Sequence, residues 1–321
     1  MRRVVRTIAV LLVFLCGITA CEESQNGKDR SSSQGDALRI VSLTPGITDV
    51  IAGMGLGERI VGVAENDDAV PPGMNPPVMG HFVNVDMEKL AVARPTHVLM
   101  MTAKEGPPAN LRAVSKQVGF TLVAYPYPKS VSDVLVMLHD PADRLEPLSV
   151  GEALGRPERA AALRSTLADG LTGIATLTEN VQRPRTLLVI GEGVPVMALG
   201  PGGPIHDLLR IAGGANAAAA SGVPAPTYDR EKLAALDPEV IIVLSPGGPP
   251  FRGMNRDARL TAFRGLPVPA VERGEMHLIN DPRVLLPSVS MLDVAAELVQ
   301  LLHPELAPGV DRVLREVRSE P

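Results

Sequence analysis

Apolar positions along this chain of 321 residues fall into two recurring patterns. Short, nearly unbroken apolar runs appear at Arg39-Ile-Val-Ser-Leu43, Ile60–Val63, Val98–Met101, Thr121–Ala124, Thr186–Ile190, Val240–Leu244 and Met276–Ile279. Their length, bounded by Gly, Pro and Asp, predicts buried strands. Between them, helical spacing or helix stop signals mark Thr48 to Met54, Asp86 to Ala93, Pro108 to Val118, Ile205 to Ala212 and Val289 to Leu302. Strand and helix alternate, which predicts an α/β fold with mostly parallel, doubly wound sheets. The stretch 157–181 departs from this. Leu163, Leu167, Leu171, Ile174, Thr178 and Val181 share one helical face, Pro157 suits a helix start, and Pro184 must end one. A helix of that length would span roughly 37 Å, although Gly170 and Gly173 each cost it about 1 kcal/mol against Ala.

One phrase occurs twice. Residues 87–101 read MEKLAVARPTHVLMM and residues 230–244 read REKLAALDPEVIIVL, so Glu88 pairs with Glu231 and Pro95 with Pro238. A second echo precedes each copy: Asp49-Val-Ile-Ala-Gly-Met-Gly55 matches Asp207-Leu-Leu-Arg-Ile-Ala-Gly213. Two echoes in one order indicate a duplicated unit, with a period far beyond the roughly 20–50 residues of a solenoid repeat. The expected plan is therefore two similar Rossmann-like lobes, 38–150 and 185–305, joined by one long helix within 151–184. A tail would follow over 306–321, with a ligand cleft between the lobes.

Composition narrows the class. The hydrophobic fraction of 45% excludes a disordered chain, and a net charge of −5 without a basic patch argues against nucleic-acid binding. The first twenty residues carry Arg2, Arg3 and Arg6, then an apolar run from Ile8 to Ile18. That is the form of a secretory signal, too short for a membrane span of about 20 residues. Its ending, Ile18-Thr-Ala-Cys21, resembles the bacterial lipobox, in which the cysteine is diacylated and becomes the mature N-terminus. With Cys16 lost in the signal, Cys21 would be the only thiol left, so no internal disulfide is possible and lipidation explains the odd cysteine. Cleavage removes three arginines and no acid, leaving 28 basic against 36 acidic residues, a net charge of −8. Residues 21–37, polar and low in complexity, suit a flexible tether. The only expected membrane contact is the lipid, in the cell envelope facing the periplasm or exterior.

The phrases RIVSLTPGITDVIAGMGLGERIVGV (39–63), GHFVNVDMEKLAVARPTHVLM (80–100), LLRIAGGANA (208–217), YDREKLAALDPEVIIV (228–243) and GEMHLIND (274–281) occur in an order and spacing that resemble the substrate-binding proteins of ABC importers for metal chelates. Such proteins hold a ferric siderophore, haem or cobalamin between two lobes joined by a rigid backbone helix. The resemblance implies a monomer with no catalysis of its own, whose partners are an ABC permease and its ATPase. In cobalamin-type members an acidic residue on each lobe docks onto permease arginines, and Glu88 and Glu231 stand at the matching positions. Two separated surface carboxylates can steer and register a partner with basic pockets; the plainer alternative is two solvated helix residues.

Ligands in open α/β sheets sit beyond the carboxyl ends of the strands, which selects the loops that follow them. Phe82, Tyr125, Tyr127, Tyr228 and Phe251 all fall in these loops, in a chain with no Trp and three Tyr. His81 is the most specific candidate, since a neutral imidazole can ligate metal and haem iron. It stands where haem-type relatives carry an axial Tyr, and Phe82 stands where cobalamin-type relatives carry a stacking aromatic. The chain departs from the latter by having Ala225 in place of a second stacking Trp. Arg252 and Arg283 are candidates to grip ligand carboxylates. The expected ligand set is thus His81, Phe82, Tyr125, Tyr127, Tyr228, Arg252 and Arg283. No resident cofactor or metal is expected, any metal arriving with the ligand. An importer-independent envelope sensor is the alternative. An envelope hydrolase is a weaker one, since the chain has no G-x-S-x-G elbow and no H-E-x-x-H helix.

Overall fold

Two sheets whose parallel strands follow a matching order form the framework. A computed structural model describes residues 38–81, 84–140, 148–191, 194–246, 260–261 and 263–319. In the first lobe β1 (Ile40–Ser42), β2 (Ile60–Val63), β5 (His97–Thr102) and β6 (Thr121–Pro126) lie in the order β2-β1-β5-β6, all parallel. In the second, β7 (Arg185–Ile190), β11 (Val240–Ser245) and β12 (Met276–Asn280) are parallel, with β9 (Ala215–Asn216) parallel on the outer side of β7. The antiparallel strands β8 (Val196–Ala198) and β10 (Thr227–Tyr228) extend that edge. The order β9-β7-β11-β12 repeats β2-β1-β5-β6, so the duplication seen in the sequence is a duplication of sheets. The central strands β5 and β11 are buried almost throughout, as parallel strands covered on both faces must be.

Each copy of the repeated phrase folds in the same way. The helices α2 (Met87–Ala93) and α8 (Arg230–Leu236) are capped by Asp86 and Asp229, whose carboxylates accept from backbone N–H groups in the first turn. Both end on a non-glycine residue in the left-handed region, Arg94 at φ 43° and Asp237 at φ 47°. Such a residue costs of order 1–3 kcal/mol, and an arginine at the start of the neighbouring strand holds each turn in place. Arg39 donates to the carbonyls of Ala93 and Arg94, and Arg185 to that of Leu236. Pro95 and Pro238 then forbid any continuation of the helix.

The lobes share one core. The long helix α6 runs over Pro157–Leu177, 21 residues or about 32 Å. It begins at the expected proline and ends four residues sooner than expected, where the Thr178 hydroxyl donates to the carbonyl of Ile211. It packs against α4 (Val131–Leu138), α5 (Val150–Ala153), α7 (Pro204–Ile211), α10 (Met291–Leu302) and α11 (Ala307–Ser319). A single hydrophobic cluster runs from Ile40 and Ile47 through Leu167 and Ile174 to Leu208 and Leu298. Residues 38–321 accordingly form one compact unit. The segment 306–321, expected as a tail, instead carries α11. Two outer clusters, around Val98 and Met100 and around Ile241 and Val243, fill the far face of each sheet.

Glycine within α6 serves this packing. A Cβ on Gly170 would stand 2.6 and 2.8 Å from the two Cδ atoms of Leu292. Gly170→Ala should gain about 1 kcal/mol of helix propensity and lose about 1–3 kcal/mol to overpacking. The expected net result in urea unfolding is a loss of about 1 kcal/mol; a gain would show that α6 and α10 can separate freely.

Candidate functional site

The carboxyl ends of β1, β2, β5 and β6 and of β7, β11 and β12 place the loops that bind ligand in a fold of this kind. In the first lobe these loops are tied by a buried polar cluster. The Thr48 hydroxyl, on α1 (Pro45–Gly53), donates to Asp67 Oδ2 at 2.5 Å and lies 2.7 Å from the Ser42 hydroxyl. Thr44 Oγ1 accepts from the N–H of Met101 at 2.9 Å, joining the β1 loop to β5. Burial pushes the Asp67 carboxyl up to about 6, against the opposing hydrogen bonds from Thr48 and the N–H of Ala69.

His81 is exposed on β3 (Gly80–His81), which pairs with β4 (Asn84–Val85) through His81 opposite Asn84. Gly80 has φ 91°, and a Cβ there would lie 2.7 Å from the carbonyl oxygen of Asn84, so only glycine permits this hairpin. The hairpin leads directly into Asp86 and α2. His81 and Glu88 therefore ride on one continuous structural feature. Phe82 lies outside the described residues, as do Phe251, Arg252 and Cys21.

The two tyrosines of β6 have different environments. Strand alternation turns Tyr125 inward, where it is 1% exposed and its hydroxyl donates to the Leu148 carbonyl at 2.9 Å. Burial, with the Glu152 carboxylate nearby, raises its phenol far above the usual range and keeps it neutral. Tyr127 is 46% exposed at the rim of a pocket of about 280 Å³, whose walls also include Pro126, Pro128, Lys129 and Met137. Burial of part of its ring raises the Tyr127 phenol as well. Tyr125 forms the packed base of this pocket and Tyr127 its accessible wall.

In the second lobe Tyr228 is half-buried on β10 opposite Val196 and packs on the outer cluster around Val243. Arg283, beyond β12, is held by Asp281 through Nε at 3.3 Å and Nη2 at 3.1 Å. These bonds raise the guanidinium pKa further, so the group stays cationic. It would grip a ligand carboxylate only by sharing or leaving Asp281. Ser245, at the end of β11, is buried, and its hydroxyl has no hydrogen bond among the described residues. No group of three His, Cys, Asp or Glu stands together as a metal site among the described residues. Asp49, Asp67, Ser288 and Ser290 make buried polar contacts that sequence reasoning did not single out. For Asp49 a signal existed, in its echo with Asp207.

Glu88 and Glu231 are exposed in the first turns of α2 and α8, one on each lobe. Leu90 and Leu233, both buried, fix the inner faces of these helices and so turn the glutamates outward.

Two sheets of one design, joined by a helical spine, define a two-lobe architecture of the solute-binding class. The family model for periplasmic binding proteins matches residues 40–269, and the chain belongs to that family. A vitamin B12-binding protein of Vibrio cholerae is 27% identical over 205 residues, which cover 64% of this chain and 70% of that protein. An uncharacterized ABC transporter substrate-binding lipoprotein of Bacillus subtilis, YvrC, is 23% identical across 97% of this chain and 94% of its own length. The solved periplasmic heme-binding protein RhuT of Roseiflexus sp. RS-1 has the same fold, with a TM-score of 0.65 at 22% identity, covering 85% of this chain and 99% of that one.

Proposed function

We propose that this chain is the lipid-anchored substrate-binding component of an ABC importer, which captures a metal chelate outside the membrane and delivers it to a permease. The observation that carries this reading is the repeated helix: on each lobe a capped, rigidly seated turn presents an outward glutamate, at Glu88 and Glu231. The ligands of similar proteins, vitamin B12 and heme, support a large metal chelate as the ligand class. The lipobox-like ending at Cys21 and the similarity to a lipoprotein support the anchor. Ligand enters the open cleft, contacts Tyr127 and the His81 hairpin, and is held by a modest closure about α6.

Between haem and cobalamin, His81 favours haem. It is an exposed imidazole on a glycine-fixed hairpin, and imidazole is a common axial ligand to haem iron. Titration of the purified protein with haem, cobalamin and ferric siderophores, followed by absorbance, tests both levels. Haem should give a saturable Soret shift that His81→Ala abolishes or moves. Tight binding of haem with an unchanged spectrum in His81→Ala would remove the axial role, and binding of none of the three would remove the chelate class.

A further inference from the structure

The echoed aspartates, Asp49 and Asp207, make reciprocal contacts across the molecule. Asp49, on α1 of the first lobe, is buried and accepts through Oδ2 from the Ser288 hydroxyl at 2.7 Å and from the N–H of Ser290 at 3.2 Å. Ser290 is the N-cap of α10, a helix that follows the last strand of the second lobe and packs on α7. Its own side chain makes no cap to that helix. Asp207, on α7 of the second lobe, accepts through Oδ2 from the N–H of Val131 at 3.0 Å. Val131 is the first residue of α4, the helix that follows the last strand of the first lobe. Each lobe thus supplies a carboxylate to the N-terminus of the other lobe's closing helix, where N–H groups lack intrahelical partners and the helix dipole favours negative charge.

Neighbouring bonds strengthen both contacts. On one side the N–H of Gly203 donates to the Lys129 carbonyl at 3.0 Å. The residue at the equivalent place on the other side, counted from the aspartates, is Pro45, which has no N–H. There the Ser288 hydroxyl and the approach of Arg283 Nη1 to Asp49 Oδ1, at 4.0 Å, add to the contact. The two contacts correspond under the duplication but differ by one position, Asp49 holding the N-cap residue Ser290 and Asp207 the first helical residue Val131, and they have different auxiliary bonds.

We infer that Asp49 and Asp207 are positioning residues that form a double latch between the lobes and set the opening of the cleft. Moving the lobes apart about α6 requires these carboxylates to leave the helix ends they hold. The latch goes beyond ligand capture and docking, and its test needs neither ligand nor permease.

Spin labels at Val92→Cys and Ala235→Cys report the separation of the lobes. Both sites are exposed on α2 and α8, and Val92 is 82% exposed. They are placed in the full chain with Cys16 and Cys21 replaced by Ala, and pulsed electron paramagnetic resonance gives the distance distribution. The latched protein should give one narrow distribution. Adding Asp49→Ala and Asp207→Ala together should shift or broaden it by more than about 2 Å, the scale of a genuine domain rearrangement. Leu111→Ala serves as the control, because Leu111 is buried in the outer cluster of the first lobe alone, and its loss should leave the distribution narrow. A folded double variant with an unchanged distribution overturns the latch. Amide hydrogen exchange decides if the alanine pair does not fold. Asp49→Asn should speed exchange at Ser290, and Asp207→Asn at Val131, each by tenfold or more over the wild type. Wild-type exchange at both amides as fast as in exposed loops overturns the latch equally.

Discussion

A Glu88→Ala, Glu231→Ala double variant is expected to bind its ligand with unchanged affinity and to lose at least about 90% of uptake in cells carrying the importer. Close charge pairs across an interface couple by about 1.5 kcal/mol or more. Two such losses come to about 3 kcal/mol, or more than a hundredfold in docking affinity. The folded protein should tolerate the change. Both glutamates are exposed, and the helices keep their caps from Asp86 and Asp229 and their buried anchors Leu90 and Leu233. Each single variant should give an intermediate defect, since one lobe still engages. Uptake at the wild-type level in the double variant would refute docking through these residues, whatever the ligand.

Stability should fall as pH rises through the titration of Asp67. Its carboxyl has an ordinary value of 3.8 and is raised by burial to about 6 in the folded chain. Between those values the folded protein retains a proton that the unfolded chain releases. This group's contribution is therefore full below about pH 4 and lost progressively up to about pH 6. About two units correspond to roughly 3 kcal/mol at most. Urea unfolding of the wild type and of Asp67→Asn at pH 4, 5, 6 and 7 isolates the effect. The difference in unfolding free energy should move by up to about 3 kcal/mol in favour of the variant as pH rises. A difference that stays constant with pH would show that Asp67 titrates normally. Because Asp67 is tied to Thr48 and Ser42 at the end of β1, its ionisation acts on the ligand-side loops.

Much of the architecture was legible because its signals are local. The strands at Ile60–Val63 and Thr186–Ile190 and the start of α6 at Pro157 follow from apolar runs and from proline chemistry. Elements were missed where periodicity is ambiguous. Val131–Leu138 is nearly continuous in apolar residues and reads as readily as a strand; it is α4 because it packs on α6 and α7. The helix α11 has a mostly polar face, and only its contact with α6 identifies which side is buried. Tyr125 shows the same limit at the site. Its position in a post-strand loop suggested ligand contact, but β6 continues to Pro126, so Tyr125 shares the buried face of Val123, while Tyr127 lies beyond the end of the strand and stays exposed.

Sequence by itself determined the duplication, the parallel strands, the spine helix and the outward glutamate on each lobe. These follow from propensities, caps and spacings read along the chain, and the repeat makes all but the spine helix visible twice. Only the tertiary structure decided what the other echoed pair does. The partners of Asp49 lie 239 and 241 residues away, and the partner of Asp207 lies 76 residues before it. No local pattern encodes a hydrogen bond over such separations. Packing of both lobes against α6 brings each carboxylate to the far lobe's helix end, so an apparent marker of duplication becomes a contact that holds the two halves in register.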